Sequence, residues 1–162
     1  MGYNGPKLLY NNKPFIKLLI KPGGGFKKVT YIDAIDGDTA YFLIDGKKEK
    51  VRFLVIDTPE LRPVMMPYSL SAKDYTNYIL SNAKEVYLQT DENGDLFDDT
   101  PSERLLAWVW ADGELLNYNL VELGYATVKY ISSDNLMYLK ELYKAEEIAS
   151  QNDIRIHEGN EG

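Results

Sequence analysis

Residues 51–60 read Val-Arg-Phe-Leu-Val-Ile-Asp-Thr-Pro-Glu, an apolar run that ends in a polar turn. The β-favouring residues of this run predict a strand that is buried on both faces. Arg52 interrupts the run. Because a guanidinium is almost never buried without a partner, we expect it to face a polar cleft that holds an anion. Pro59 ends the strand because it has no N–H for a ladder hydrogen bond. Arg52, Asp57 and Glu60 therefore meet at one strand end, a composition typical of a phosphate-processing site.

The composition limits the chemistry that the chain can perform. Its 162 residues, 44% of them hydrophobic, suffice for one well-packed domain. Lys and Arg number 18 against 25 Asp and Glu, a net charge of −7, so any polyanion would have to be bound locally. There is no cysteine and His157 is the single histidine, which excludes thiolate and histidine zinc sites and Ser-His-Asp triads. Carboxylates, Arg, Lys and Tyr remain, with an oxygen-ligated cation as the natural helper.

Residues 1–25 predict an N-terminal extension that ends in a glycine-rich linker. Scattered apolar positions are followed by Lys-Pro-Gly-Gly-Gly at residues 21–25, which lacks the Lys-Ser/Thr of a phosphate-binding loop. No apolar run approaches the ~20 residues of a membrane span, and residues 15–20 are too short for the apolar core of an export signal. We expect the folded domain to cover residues 26–157 and residues 158–162 to form a tail.

The first part of the domain predicts three consecutive antiparallel strands. They cover residues 29–35, residues 40–44 and the Arg52 segment. Asp45 and Gly46 between the second and third strands are a strong hairpin signal. The bend between the first two strands carries Asp36 and Asp38.

The second part predicts two more strands and three helices. The strands cover residues 85–89 and 105–110. The first helix begins at Ser71, the second ends at Gly124, and the third begins near Ser133 or Asp134. We expect Ser71 and Asp74 to form a capping box. The acidic segment of residues 91–99 is expected to make a turn. Its first part, residues 91–95, lacks the glycine spacing of an EF-hand and is interpreted as a solvated hairpin tip. Five strands with interspersed helices predict an α+β fold, a small closed OB-like barrel.

Each candidate site residue allows two interpretations when it is taken alone. The Asp-Gly-Asp-Thr bend is either a solvated turn or places Asp38 with Asp57 on a hard divalent cation such as Ca²⁺. Arg104 either forms a surface salt bridge to the acidic segment, worth ~0–1 kcal/mol, or joins Arg52 around one phosphate. Tyr130 is one of 13 tyrosines, so it serves either packing or recognition.

In their order and spacing, these pieces resemble the thermonuclease family, the staphylococcal nuclease-like proteins. The resemblance runs from about Lys27 to His157. The matching motifs are Ile-Asp-Gly-Asp-Thr at 35–39, Arg52, Asp-Thr-Pro-Glu at 57–60, Arg-Leu-Leu-Ala at 104–107, Ala-Asp-Gly at 111–113 and Leu-Gly-Tyr-Ala at 123–126. The resemblance implies a five-stranded OB-fold barrel with three helices and Ca²⁺-dependent cleavage of phosphodiester bonds in DNA and RNA.

The resemblance also implies how the acidic residues act. Asp38, Asp57 and the backbone carbonyl of Thr58 would hold Ca²⁺. Glu60 would be the general base that orients or deprotonates the attacking water. This scheme is coherent, because the cation offsets phosphate charge while the carboxylate prepares water for in-line attack.

Arg52 and Arg104 would bind the scissile phosphate, with Tyr130 beside it. The chain departs from the family pattern at residues 101–103, where Pro-Ser-Glu replaces the usual Lys/Arg-Tyr-Gly. It departs again at Ser132, where a second nucleotide-contacting tyrosine is often found. With the acidic net charge, these departures predict weaker substrate binding and less base stacking.

The sequence thus favours a Ca²⁺-dependent nuclease, a metal-dependent phosphodiesterase or endonuclease with nucleic acid as substrate. We expect a monomer that is secreted or attached to a bacterial cell surface. One alternative is a catalytically inactive OB-fold module that binds nucleic acid or protein. The other is an interaction domain for a basic partner, which the net charge of −7 suggests.

Overall fold

The computed structural model describes residues 25–158, which form a five-stranded barrel with three α-helices. The elements are β1 Phe26–Asp36, β2 Thr39–Ile44, β3 Lys47–Phe53, β4 Ile56–Asp57, α1 Ser69–Asn82, β5 Val86–Gln89, β6 Leu105–Ala111, β7 Glu114–Leu115, α2 Leu116–Glu122, β8 Thr127–Val128, α3 Leu139–Gln151 and a 3₁₀ turn Arg155–His157. No helix in this range has the length and apolar character needed to cross a membrane. The predicted extension and tail lie, but for one residue each, outside the described part.

The barrel closes because its first strand serves two neighbours. β1 pairs with β2, and its first residues also pair with β5. Register shifts after Tyr31 and Ala34 mark bulges, which bend a strand and increase its twist. β5 pairs with β6, and β6 returns to β3 in parallel to complete the ring. The predicted α+β fold, a five-stranded OB-fold barrel with three helices, is confirmed.

Local turn chemistry sets the hairpin that carries Arg52. Asp45 and Gly46 have φ values of +53° and +80°, and they form the whole connection between β2 and β3. Positive φ at both central residues is the requirement of the type I′ turn, whose twist matches that of the strands it joins. The predicted hairpin is therefore confirmed.

The apolar run after Arg52 is buried as expected, but it is not one continuous strand. β3 ends at Phe53, Val55 has a φ of +54°, and a second short strand begins at Ile56. The N–H of Leu54 donates to the carbonyl of Ala107 at 2.9 Å, which satisfies the backbone at the break. This kink redirects the chain towards β8, and the prediction of an unbroken strand was wrong.

Both helix starts predicted from capping patterns were wrong. Ser71 and Asp74 lie inside α1, whose N-cap is Tyr68 in the left-handed region with no side-chain cap hydrogen bond. The hydroxyl of Ser133 accepts the N–H of Asn135 at 3.1 Å, which makes a local turn, and α3 begins later. Because a side-chain bond of this kind competes with helix formation, Ser133 did not mark the start of α3.

Asp91 is not part of a solvated tip, contrary to the prediction. It is 1% exposed, and its carboxylate accepts three N–H groups. These come from the Trp108 indole at 2.9 Å, the Met137 backbone at 2.7 Å and the Asn93 backbone at 2.8 Å. The carboxylate therefore joins β6 to the approach to α3.

We expect Asp91→Ala to lower the free energy of unfolding by about 2–4 kcal/mol, because it leaves two buried N–H groups without an acceptor. Urea denaturation of both proteins measures this difference. Glu92→Ala, at the exposed neighbouring position, should stay within about 0.5 kcal/mol of the parent. Equal losses for the two variants would contradict the structural role of Asp91.

Candidate active site

Strand pairing brings the first acidic bend next to the buried arginine. Thr39 at the start of β2 lies opposite Arg52 in β3. The N–H of Phe53 donates to the carbonyl of Asp38 at 2.8 Å, which fixes the bend against β3. The kink after β3 then turns the chain back, so that Asp57 also lies beside the Arg52 guanidinium. Residues distant in sequence thus meet because of register and one break in a strand.

The Arg52 guanidinium lies between two carboxylates. Its Nη2 is 3.4 Å from Asp38 Oδ2 and 3.6 Å from Asp57 Oδ1, and its Nη1 donates to the carbonyl of Phe53 at 2.9 Å. Its side chain is only 11% exposed. A charge buried to this extent requires partners of opposite sign, and Asp38 and Asp57 provide them.

Hydrogen bonds hold the Asp38 carboxylate in its ionised form. It accepts the Thr39 hydroxyl and the Thr58 backbone N–H, both at 2.8 Å. Burial opposes its ionisation, but the charge of Arg52 and the hydrogen bonds around it lower the pKa of Asp38 below its usual range. Burial and the hydrogen bond with Asp38 raise the pKa of Asp36 to about 7.

Asp57 is less well compensated. Burial and the charge of Asp38 raise its pKa, although Lys129 and Arg52 act in the opposite direction. Lys129 Nζ lies 3.7 Å from Asp57 Oδ2. The ionised form of Asp57 is therefore less favourable than that of Asp38, and a further positive charge beside it would stabilise it.

The oxygen atoms at this position fit a hard divalent cation. Asp38 and Asp57 approach the same guanidinium nitrogen, and the buried Thr58 hydroxyl oxygen has no hydrogen-bond partner. Carboxylate, hydroxyl and carbonyl oxygens are the ligands that Ca²⁺ and Mg²⁺ take. Between residues 25 and 158, no three His, Cys, Asp or Glu side chains form a metal-binding group. The remaining ligands would therefore be carbonyl oxygens and water.

All the site residues named from the sequence line one cleft of about 540 Å³. They are Asp38, Arg52, Asp57, Thr58, Glu60, Arg104 and Tyr130. Glu60 is exposed directly after the Pro59 turn, and its carbonyl accepts the N–H of Met66 at 2.9 Å. Its carboxylate can therefore contact solvent in the cleft. Ser132 lies in the same lining.

Arg104 combines the two interpretations that its sequence position allowed. Its backbone N–H and Nε donate to the Asp98 carboxylate at 2.9 and 2.6 Å, a salt bridge to the acidic segment. Burial opposes ionisation of Asp98, but hydrogen bonds from Thr100 and Arg104 lower its pKa. Leu106 pairs with Arg52 across β3 and β6, so Arg104, two residues earlier, projects from the same face. Arg104 is thus both salt-bridged and directed at the cleft.

The sequence did not reveal two features of the cleft. Carboxylates of the acidic segment line it, namely those of Asp95, Asp98 and Asp99. Lys129 contacts the lining residue Tyr130, because both Lys129 and Arg52 lie over its ring, at 5.2 and 5.5 Å from the centroid. The position of Lys129 directly before Tyr130 was the only signal of it in the sequence.

The fold and the site define a class of protein: closed OB-type barrels that carry a cleft of carboxylates and arginines. A family model described as "Staphylococcal nuclease homologue" matches residues 50–157. The chain belongs to this family, and the resemblance identified from the sequence motifs is confirmed.

Several relatives have names that state an activity. The chain is 35% identical over 131 residues to "Endonuclease YncB" of Bacillus subtilis (strain 168), which covers 79% of this chain and 60% of the relative. It is 34% identical over 131 residues to "SPbeta prophage-derived endonuclease YokF" of the same organism, with 79% and 43% covered. It is 33% identical over 123 residues to "Thermonuclease" of Staphylococcus hyicus, with 74% and 69% covered. The chain thus spans less than two thirds of the two Bacillus relatives.

Gly37 separates the two aspartates of the bend, and we expect Gly37→Ala to destabilise the site. A Cβ there would lie 2.7 Å from Thr58 Cγ2 and 2.8 Å from Ala72 Cβ, so the bend or α1 would have to move. Overpacking of this kind costs about 1–3 kcal/mol in unfolding free energy. Urea denaturation measures the loss.

Ala72→Gly provides the matched control, because it removes one of the two clashing atoms. We expect the double variant Gly37→Ala/Ala72→Gly to be more stable than the sum of the single changes, by about 0.5 kcal/mol or more. Strict additivity would show that the close approach of Gly37 to α1 is not the cause.

Proposed function

We propose that this protein is a Ca²⁺-dependent nuclease that hydrolyses phosphodiester bonds of DNA or RNA. The observation that carries the proposal is the cluster of Asp38, Arg52 and Asp57, two carboxylates at 3.4 and 3.6 Å from one guanidinium nitrogen. The cluster lines a cleft open to solvent, as a polymeric substrate requires. The names of the relatives, endonuclease and thermonuclease, support the same reaction.

The acidic residues would form the metal site. Asp38, Asp57 and the Thr58 carbonyl would hold Ca²⁺, which when bound supplies positive charge that polarises the phosphate. Thr39 and the Thr58 N–H keep the Asp38 carboxylate in a fixed orientation through their hydrogen bonds. The Asp38 carboxylate would thus be oriented before a cation binds, which would reduce the cost of binding.

The two arginines would bind the scissile phosphate. Arg52 and Arg104 project from neighbouring strands on the same face, so their guanidinium groups can approach one anion. Asp98 binds Nε of Arg104, and the terminal nitrogens of Arg104 would contact the phosphate. Such fixed donors stabilise the charge that develops on phosphate oxygens in the transition state.

Glu60 would act as the general base. It follows the rigid Pro59 turn and lies exposed in the cleft, where water can reach its carboxylate. A carboxylate within hydrogen-bond reach of the attacking water contributes typically 10²–10⁴-fold to the rate. Tyr130, 64% exposed, would lie beside the phosphate, where its ring already contacts Arg52.

A nuclease assay that compares the parent protein with the variant Glu60→Gln tests the proposal. We expect release of acid-soluble nucleotides from single-stranded DNA and RNA with Ca²⁺, and loss of that release with a chelator. Glu60→Gln should lower the rate about 10²–10⁴-fold while Ca²⁺ affinity changes little, because the exposed side chain lies outside the Asp38–Asp57 pair.

Glu92→Gln is the matched control at an exposed position outside the cleft, and its rate should equal that of the parent. Hydrolysis unaffected by the chelator and by Glu60→Gln would contradict the proposed mechanism. Tight binding of an oligonucleotide without turnover would instead support the catalytically inactive binding module.

Arg104→Gln tests phosphate binding, and we expect kcat to fall about 10²-fold or more. Arg104→Lys should lie between this variant and the parent, because Lys keeps the charge but lacks the planar fork. Arg104 is a cleaner choice than Arg52, whose removal would leave two carboxylates without their shared cation and cost stability. Unfolding curves verify that the Arg104 variants fold, and a kcat for Arg104→Lys equal to the parent's would exclude two-pronged binding.

A further inference from the structure

Lys129 contacts two residues that line the cleft, Asp57 and Tyr130, and the roles proposed above do not use it. Its backbone N–H donates to the carbonyl of Val55 at 3.0 Å, next to the β4–β8 pairing in which Asp57 lies opposite Thr127. Its Cα is therefore fixed beside the segment that carries Asp57. Its side chain is 54% exposed, so the ammonium group is free to move while the backbone is held.

The ammonium of Lys129 is a counter-ion of Asp57. Nζ lies 3.7 Å from Asp57 Oδ2, on the carboxylate oxygen that Arg52 does not approach. Arg52 cannot neutralise Asp38 and Asp57 alone, so Lys129 supplies part of the missing charge. A divalent cation held by Asp57 would repel an ammonium at this distance, because like charges about 4 Å apart interact unfavourably even in a polar environment.

In the proposed complex, a phosphate of the nucleic-acid strand would lie within reach of the Lys129 ammonium once the cation has displaced it from Asp57. Lys129 Nζ and Arg52 Cζ both lie over the Tyr130 ring, at 5.2 and 5.5 Å, so the two cations flank one exposed side chain. A nucleic-acid strand whose phosphate contacts Arg52 would place its neighbouring phosphates within reach of a four-carbon stem. Lys129 is thus a cation that can contact a phosphate of the nucleic acid next to the one bound by Arg52.

We propose that Lys129 is a substrate-binding residue coupled to the metal: it holds Asp57 in the cation-free site and contacts a backbone phosphate next to the scissile one when the cation is bound. This inference rests on the proposed nuclease function and deepens it. It adds a phosphate contact that none of the sequence motifs contains. It also makes the same side chain unfavourable for cation binding and favourable for substrate binding.

The first measurement is a calorimetric Ca²⁺ titration without nucleic acid. We expect Lys129→Met to bind Ca²⁺ about three- to fivefold more tightly than the parent, because it removes the competing charge of a half-exposed ion pair. Lys129→Arg keeps the charge and should stay within about twofold of the parent. Lys144→Met, an equal change of net charge at an exposed position of α3, should leave the affinity unchanged.

The second measurement is the affinity for a single-stranded oligonucleotide with Ca²⁺ at several salt concentrations. Glu60→Gln serves as the background so that the strand stays intact. We expect Lys129→Met to weaken binding about three- to tenfold and to reduce the slope of log K against log salt by about 0.7, the loss of one phosphate contact. Lys129→Arg should restore the slope, and Lys144→Met should leave it unchanged.

Ca²⁺ affinity that is unchanged or weakened in Lys129→Met would overturn the competition with the cation, and an unchanged salt slope would overturn the phosphate contact. Neither measurement depends on turnover. Metal-dependent hydrolysis by the parent, with both readouts unmoved in Lys129→Met, would leave the nuclease function standing and refute this inference. A parent without hydrolysis whose Lys129→Met variant binds Ca²⁺ more tightly would refute the nuclease function and support the cation competition.

Discussion

The contact of the Arg52 guanidinium with Asp38 and Asp57 is the constraint on which the site depends. The three groups are largely buried, and removing Arg52 would leave the Asp38 carboxylate without its cation, at a cost of several kcal/mol. The register that places Thr39 opposite Arg52 brings Asp38 to the guanidinium, and the kink at Val55 returns Asp57 to it. A barrel with another register would separate these charges, so the fold and the site are specified together.

Those parts of the fold that follow from local chemistry were predictable from the sequence. The Asp45–Gly46 hairpin needs only two residues that accept positive φ, and Gly124, with a φ of +79°, follows α2 as a C-cap pattern predicts. Asp91 and Val55 could not be placed in this way. The acceptor role of Asp91 depends on N–H groups from β6 and the approach to α3, and the break at Val55 depends on β6 and β8, all distant in sequence.

The site was predictable as a set of residue types but not as an electrostatic arrangement. The order of the motifs indicated the residues that line the cleft, because charged residues recur at strand ends. It did not indicate that the acidic segment folds over the same cleft, and it offered a salt bridge from Arg104 to that segment only as an alternative to phosphate binding. With a net charge of −7, long-range attraction of a polyanion is weak, so binding of the proposed nucleic-acid substrate would depend on the few cations at the cleft. Asp98 offsets part of the positive charge of Arg104, but its hydrogen bond also orients the Arg104 guanidinium.

The pKa values of Asp38 and Asp57 shift in opposite directions, which bears on the metal site proposed for them. Hydrogen bonds and Arg52 lower the pKa of Asp38, whereas burial and the charge of Asp38 raise that of Asp57. In the folded protein, ionising Asp57 at neutral pH therefore costs free energy that it does not cost in the unfolded chain. A cation held by these carboxylates, as proposed, would offset this cost and would stabilise only the folded state. In the proposed mechanism, substrate chemistry and fold stability would thus depend on the same two carboxylates, because both are largely buried beside one guanidinium.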